Sequence, residues 1–327
     1  MSQKNETQAT FVTEFFIVGF PGLQPEYYNL IGAVFFSIYI IVIGGNSSFI
    51  LLFVTETSLH KPMYIILLNL ALSDIGYCTV ALPKLISRYW FNNGFISFQL
   101  CLMQSQFIHY FGTLNSFIMM TMALDRYLAI CFPLRYPVLM TTQTMKIVSG
   151  FFWVSSMIYS GISTIMTSKL PFCGPNRIMN CFCDTTSMNS LACSDVTFQS
   201  YIATSVATFV LVLPFSLIVF SYTSIVVSVV TIVNNQGMQK TFSTCATQLC
   251  IISIYYIPRF FVYISPYIPN LGLNTDQKLS ITVCYTLFPA MANPLIYCLR
   301  HWVVILKMAI DEQGNFRVEG TDSGHVV

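Results

Sequence analysis

Charge is what this chain has least of. Only 9% of its 327 residues are charged, against 55% hydrophobic, where soluble domains carry about 25% charged residues. A soluble fold so poor in charge would precipitate, so the composition selects the bilayer as solvent. The net charge of +2 comes with no block of like charges, which argues against a nucleic-acid partner. A Gly-rich phosphate loop, a nucleophile elbow and an H-E-x-x-H pair are all missing, and with them the common signs of enzymatic chemistry. No internal repeat of the kind that builds secondary transporters is visible. Nor is a cleavable leader expected. Phe11–Phe20 is apolar, but Glu14 interrupts it and no basic stretch precedes it. The first span is therefore expected to act as the targeting signal.

What the chain does have is seven long apolar segments, at about 28–54, 62–85, 98–129, 143–166, 198–232, 240–266 and 276–299. Each is long enough to cross a hydrocarbon core. They predict an all-α membrane protein, a seven-transmembrane-helix bundle over 28–299, preceded by an N-terminal segment 1–27 and followed by a tail 300–327. The long connection is 167–197. After Pro294, Trp302, Leu306 and Ile310 recur every four residues with Ile305 beside them, and Arg300 and Lys307 fall elsewhere on the helix. That pattern predicts a short amphipathic helix lying along membrane lipid at the inner surface. The tail beyond Asp311 reads as polar and disordered.

Eleven cysteines are present. Cys173, Cys181, Cys183 and Cys193 crowd the long connection, and Cys101 begins the third span. Clustered loop cysteines point to disulfides facing an oxidising compartment. Cys181-Phe182-Cys183 could alternatively hold copper or zinc, but no loop histidine joins it. Cys78, Cys245, Cys250 and Cys284 lie in apolar runs and read as reduced packing residues. With the N-terminus outside, the inner ends carry Lys61, Arg126, Arg135, Lys146, Lys240, Arg300 and Lys307, and the outer ends Lys84, Arg88, Lys169, Arg177 and Lys278. The cationic bias thus leans toward an outside N-terminus, and the sequon Asn5-Glu6-Thr7 agrees with that orientation.

The third span runs from Cys101 to Asp125-Arg126-Tyr127, roughly 37 Å of helix. It offers a disulfide partner on one side and a charged triplet on the other. At Met122–Tyr136, MALDRYLAICFPLRY, the sequence closely resembles the vertebrate olfactory receptors, a branch of the rhodopsin-like G-protein-coupled receptors. The resemblance extends from about Phe15 to Arg300 through Gly45-Asn46, KPMY at Lys61–Tyr64, LALSD at Leu70–Asp74 and LPFCGPN at Leu170–Asn176. It continues in LACSD at Leu191–Asp195, Ser221-Tyr222, KTFSTCATQL at Lys240–Leu249 and NPLIYCLR at Asn293–Arg300. The eight-residue interval from Cys101 to His109 is like that of the fish-like, water-borne-odorant class. Four positions depart from the pattern: Gln248 where His is usual, Asn115 where Glu is usual, Cys181 for an aromatic, and Arg259 for an uncharged residue.

The resemblance implies a plasma-membrane receptor, N-terminus extracellular, that binds a small-molecule odorant and activates a heterotrimeric G protein of the stimulatory, cAMP-raising type. It implies no enzyme activity. A non-olfactory receptor of the same fold is the nearest alternative, and a transporter or channel the remote one. It implies disulfides Cys101–Cys183 and Cys173–Cys193, which leave Cys181 over. It assigns Asp125, Arg126, Tyr127, Tyr222 and Lys240 to activation and G-protein coupling, where a plain interfacial Arg would merely snorkel. It implies a hydrated polar core at Asn46, Asp74, Asn115 and Asn293, sometimes holding a sodium ion near Asp74. The same residues could equally be interhelical hydrogen-bond glue.

The implied ligand residues are Ser105, Ile108, His109 and Gly112 in the third span, with Ser116 on the same face. Val206 and Val210 join from the fifth, and Tyr256, Arg259, Phe260 and Tyr263 from the sixth. Arg259 lies about six residues, roughly 9 Å, below Ser265-Pro266. No carboxylate lies in the spans near that level. Three arrangements would satisfy it: snorkelling to the outer interface, pairing with a loop acid such as Asp184, or a carboxylate ligand held by a two-pronged pair.

If Asn5 lies on the lumenal side it is glycosylated. Digestion of the expressed receptor with an amide-cleaving glycosidase should then shift its gel mobility, and Asn5→Gln should abolish that shift; an unchanged band for wild type would reverse the orientation.

Overall fold

The computed structural model describes residues 12–173, 176–232, 235–264, 268 and 272–294. Seven long helices form the bundle: α1 (Tyr28–Thr55), α2 (Pro62–Trp90), α3 (Phe98–Cys131), α4 (Thr142–Ser168), α5 (Thr197–Ile232), α6 (Asn235–Ile264) and α7 (275–294). The first five contain stretches long and apolar enough to cross a membrane, and Gln248–Val262 of α6 is a shorter apolar stretch. The starts follow helix-terminus chemistry. Pro62 opens α2, where its missing N–H costs nothing. Ser97 Oγ accepts from Leu100 N at 3.4 Å to cap α3, and Thr141 Oγ1 accepts from Thr144 N at 3.1 Å to cap α4. The amphipathic helix expected at 300–310, the tail and the Asn5 sequon lie outside the described residues.

Burial separates the helices by role. In α2 and α3, 67% and 72% of the spanning stretch is buried, against 17% in α1, 17% in α4 and 22% in α5. α3 is therefore the central post, and the more exposed helices present their apolar residues to lipid. α2 runs on to Trp90, past the segment end expected near 85. The apolar run stops at Lys84, but the helix continues because Arg88 is accommodated. Its guanidinium donates to Asn92 Oδ1 at 2.6 Å and Tyr28 Oη at 3.2 Å, and lies over the rings of Phe16, Tyr28 and Tyr89. In the inner half, Asn69 clamps α2 to α4. Trp153 Nε1 donates to its Oδ1 at 2.7 Å, and its Nδ2 donates to Ser149 Oγ at 3.0 Å. Cys78 and Cys245 are buried packing residues as the apolar runs predicted, whereas Cys250 and Cys284 are exposed, because those runs also supply the outward faces.

The outer face carries an element that the all-helical reading did not include. β1 (Glu14–Ile17), β2 (Phe95–Ser97) and β3 (Arg177–Ile178) form a sheet in the order β2-β1-β3. β1 is antiparallel to β2 and parallel to β3. The cause is visible in EFFI: Phe15 and Ile17 point inward and are fully buried, while Glu14 and Phe16 point out. They pack on Ile96, Phe172, Ile178 and Met188 over the top of α3. Gly94 permits the approach, since its carbonyl accepts from Ile17 N at 2.9 Å and a Cβ there would meet Ile17 O at 2.6 Å. The N-terminal segment, the α2–α3 turn and the long connection are thereby joined into one lid.

Trp153→Phe should lower thermal stability by about 1–3 kcal/mol, because Asn69 Oδ1, half-buried between α2 and α4, is left without its donor. Unfolding of detergent-purified receptor measures this. Adding Asn69→Leu should recover part of the loss, and an additive double variant would show that the pair does not interact.

Candidate functional site

The lid is fastened to α3 at several points. Cys101 at its outer end is disulfide-bonded to Cys183, and Cys173 to Cys193 closes a loop within the long connection. Gln104 Oε1 accepts from Cys183 N at 3.0 Å, while Gln104 Nε2 donates to Val80 O of α2 at 3.0 Å. A short helix, Thr185–Asn189, follows Cys183 and lies across the bundle. Asp184 caps it, accepting from Ser187 N at 3.4 Å and from Asn180 Nδ2 at 2.9 Å. Asn189 Oδ1 accepts from Thr167 of α4 at 2.9 Å.

Beneath this helix is a cavity of about 390 Å³, within the size range of small-molecule sites. Ile108, His109, Gly112 and Asn115 of α3 line it, with Val206 and Val210 of α5, Tyr255, Arg259 and Val262 of α6, and Thr282, Tyr285 and Thr286 of α7. The roof is Asn180, Phe182, Asp184, Thr185, Thr186 and Asn189. Six of the residues expected from the sequence, Ile108, His109, Gly112, Val206, Val210 and Arg259, thus share one cavity.

Three others lie elsewhere, and a fourth is not described. Ser105 is a turn above, buried under the lid with its Oγ 3.4 Å from Thr185 Oγ1. Tyr256 and Phe260 face α5, where both rings pack on Phe215. The Tyr263 side chain is outside the described part. The lining stripe of α6 is Tyr255, Arg259 and Val262, one residue out of phase with Tyr256, Phe260 and Tyr263. One residue is about 100° of helix rotation, and α6 is apolar on both sides here, so the sequence offered no signal to phase it. The hydroxyl- and amide-rich roof and the α7 threonines also escaped notice, because side chains from separate segments converge there only in the fold.

Tyr255 connects α6 to α3. Its Oη donates to the Gly112 carbonyl at 2.8 Å, lies 3.1 Å from Ser116 Oγ, and receives Arg259 Nη1 at 2.5 Å. The guanidinium also sits over the Tyr255 ring. One turn outward on α3, His109 Nε2 accepts from Thr185 N of the lid at 3.5 Å. Below the cavity, Asn115 Nδ2 donates to Asp74 Oδ1 at 3.4 Å and Asn293 Nδ2 donates to Asp74 Oδ2 at 2.7 Å. Asn46 Nδ2 donates to Val42 O at 2.9 Å and Ala290 O at 3.3 Å, joining α1 to α7. Of the expected polar core, Asp74, Asn115 and Asn293 are one connected group, with Asn115 at its junction with the cavity, whereas Asn46 is held by backbone carbonyls instead.

At the inner end of α3, Arg126 Nε lies 3.7 Å from Asp125 Oδ2, and Tyr136 Oη donates to Asp125 Oδ1 at 2.8 Å. Arg126 Nη2 reaches Met63 Sδ at the start of α2. Burial first, then the adjacent Asp125 carboxylate, push the Tyr136 phenol up, so it stays a donor to that carboxylate. Tyr127 stacks edge-on with Phe132 and Phe220. Tyr222 Oη donates to Gln248 Oε1 at 3.3 Å, bridging α5 to α6. Lys240 falls in α6, but its side chain is outside the described part.

Cys181, the cysteine left over, is buried beneath the lid against the α1–α2–α7 cluster. Burial, and then the Asp276 carboxylate, push its thiol up to about 12. No cluster of metal-ligating side chains occurs among the described residues.

A family model described as olfactory receptor matches residues 35–310. Olfactory receptor 1E16 of Mus musculus is 35% identical over 301 residues, covering 92% of this chain and 94% of that protein. Olfactory receptor 1 of Rattus norvegicus gives the same identity and coverage. Among solved structures, the crystal structure of squid rhodopsin matches with a TM-score of 0.64 at 20% identity, over 84% of this chain and 78% of that one. At that identity the likeness concerns the fold.

An impermeant maleimide at pH 8 should leave Cys181 unlabelled in the folded receptor and label it after denaturation, since a thiol titrating near 12 is protonated there and an ordinary exposed thiol, near about 8.5, is not fully so. Prompt labelling of the native protein at Cys181, judged against Cys181→Ser, would contradict its burial.

Proposed function

This chain belongs to the olfactory receptor family, and from that membership and the geometry of its cavity we propose how it senses a ligand. It is a multi-pass membrane protein and a signalling receptor rather than an enzyme. Family membership brings an odorant ligand and G-protein coupling in general terms. The finer reading is a plasma-membrane receptor, N-terminus extracellular, whose ligand carries a carboxylate and whose G protein is of the stimulatory, cAMP-raising type.

The observation that carries this reading is the roofed cavity between α3, α5, α6 and α7, with Arg259 in its wall. A guanidinium presents five donors in a planar fork that matches a carboxylate. A ligand can shift the receptor's equilibrium only by binding one state more tightly. Ligand contact at Arg259 and Tyr255 acts on the α6–α3 link directly, because Tyr255 spans from Arg259 to Gly112. Pro258, between these two residues, removes one backbone donor from α6, which makes this turn the natural place for the helix to bend. Movement of α6 then bears on the Tyr222–Gln248 bridge and on the surroundings of Arg126, where the G protein docks.

The residues around Asp74 also fit a sodium ion. The Asn115 and Asn293 Oδ1 atoms are buried with no hydrogen-bond partner among the described residues, beside the carboxylate that both side chains hold. Hard oxygen donors of this kind suit such a cation, whose charge would offset that of Asp74.

Cells expressing wild type, Arg259→Ala and Arg259→Lys, matched for surface level, should be compared for cAMP responses to chain-matched carboxylic acids, alcohols and amines. Acids are expected to activate wild type, with each variant weakened by about tenfold or more, since hydrogen bonds to charged groups contribute about 1.5–3 kcal/mol. Equal activation of all three by neutral ligands would remove the carboxylate and leave the receptor reading standing.

A further inference from the structure

The cavity does not end at α3, α5, α6 and α7. It also reaches α4, where Tyr159, Ser160 and Ser163 line it together with Ser200, Ala203 and Ala207 of α5. Thr186 and Asn189 of the lid helix belong to the same end. All of these residues are uncharged, and the alanines leave room beside the hydroxyls.

The polar atoms around the cavity fall into two sets. Some are already committed. Ser160 Oγ accepts from Gln106 Nε2 at 2.8 Å and donates to Ser156 O at 3.0 Å. Thr282 Oγ1 donates to Lys278 O at 2.9 Å, and Thr286 Oγ1 donates to Thr282 O. Ser163 and Asn189 differ. Ser163 is only 8% exposed, yet its hydroxyl makes no hydrogen bond to any described residue. Asn189 is 3% exposed. Its Oδ1 is engaged by Thr167 Oγ1 at 2.9 Å, which leaves Nδ2 with no acceptor among the described residues. Neither atom is sealed within the packing, and both residues line the cavity. Thr167 and Ser163 are four apart on α4, so the Asn189 amide stands over the helix face that carries Ser163, one turn and roughly 6 Å further out. A buried polar group without a partner costs free energy, and here two such groups open on one space.

We propose that this wall is a second recognition subsite, one for an uncharged oxygen of the ligand, a hydroxyl or a carbonyl. Asn189 Nδ2 donates to that oxygen, and the Ser163 hydroxyl meets it from one turn beneath. The inference rests on the cavity being the ligand site, but not on the charge at the ligand's other end. It narrows the ligand class to hydroxy or oxo compounds that carry a second function. A chain ending here in a methyl group leaves both groups unpaired, whereas one ending in oxygen satisfies them. The valines of the cavity discriminate by size alone; this wall discriminates by hydrogen bonding.

The test is thermal stabilisation of full-length receptor in lipid nanodiscs, a readout that needs no G protein. The probes are hexanoic and octanoic acids, hexanol and octanol, the ω-hydroxy counterpart of each, and 5-oxohexanoic acid. In at least one chain-matched pair the added oxygen should lower the half-stabilising concentration by about three- to tenfold. Ser163→Ala, which removes a hydroxyl that no described residue uses, should cut that gain about threefold or more while leaving the unliganded melting temperature unchanged. Asn189→Asp keeps the acceptor for Thr167 and removes the donor, so any gain from the carbonyl should vanish. Ser160→Ala, at a hydroxyl already committed to Gln106, should leave the gain as it is. The proposal is overturned if no added oxygen improves stabilisation at either chain length, or if the gain survives both Ser163→Ala and Asn189→Asp. Stabilisation by the plain acids or alcohols would in either case uphold the cavity as the ligand site and assign this wall to water only. Absence of stabilisation by every probe would overturn the subsite and the cavity reading together.

Discussion

The attachment of the lid to the outer end of α3 is the constraint on which the rest depends. The Cys101–Cys183 crosslink and the Gln104 contacts fix the long connection over the bundle axis. Without them a segment rich in backbone polar groups would have no reason to lie across a helical bundle. Because α3 is also the most buried of the first five helices, whatever it carries is placed at the centre. Its outer turns face the lid, its middle turns face the cavity and the polar core, and its last turn carries the Asp125–Arg126 pair. The small sheet adds a second fastening, since Phe15 and Ile17 bury an alternating pattern that no helix would use.

Polar groups within the bundle fall into separate bonded sets in an otherwise apolar interior: Thr185 with His109, Tyr255 with Gly112 and Arg259, and Asp74 with Asn115 and Asn293. In a bilayer each of these groups must find its partner inside the protein. The same necessity explains why several helices are cross-linked by a single side chain: Asn69 for α2 and α4, Tyr255 for α3 and α6, Tyr222 with Gln248 for α5 and α6. Such links have discrete alternatives rather than a continuum, which is the physical requirement for a two-state receptor.

Much of this architecture is legible in the amino-acid sequence. Composition requires the bilayer, and apolar run length counts and delimits seven spans to within a few residues, because a helix must satisfy its own backbone across the hydrocarbon. The motifs around Asp125-Arg126-Tyr127 and Lys240–Leu249 carried the family, and the family carried the two disulfide pairings. What composition could not do was phase the helices. In α6, Tyr255 and Tyr256 are equivalent as letters, yet one lines the cavity and the other packs on Phe215. A helix apolar all round has no periodic signal to rotate it, and only packing against α3 and α5 decides. Arg88 shows the same limit at a helix end: its charge closed the apolar run, while the aromatic rings that let α2 continue come from β1 and α1.

The chain by itself thus determined the solvent, the number of spans and the class of molecule, since these follow from run length and local residue pattern. The tertiary structure alone decided which side chains share a space. Asp184 and Arg259 are separated by most of the fifth and sixth spans in sequence, and they line one cavity because the disulfide draws the lid down over α3 while Tyr255 draws α6 in beside it.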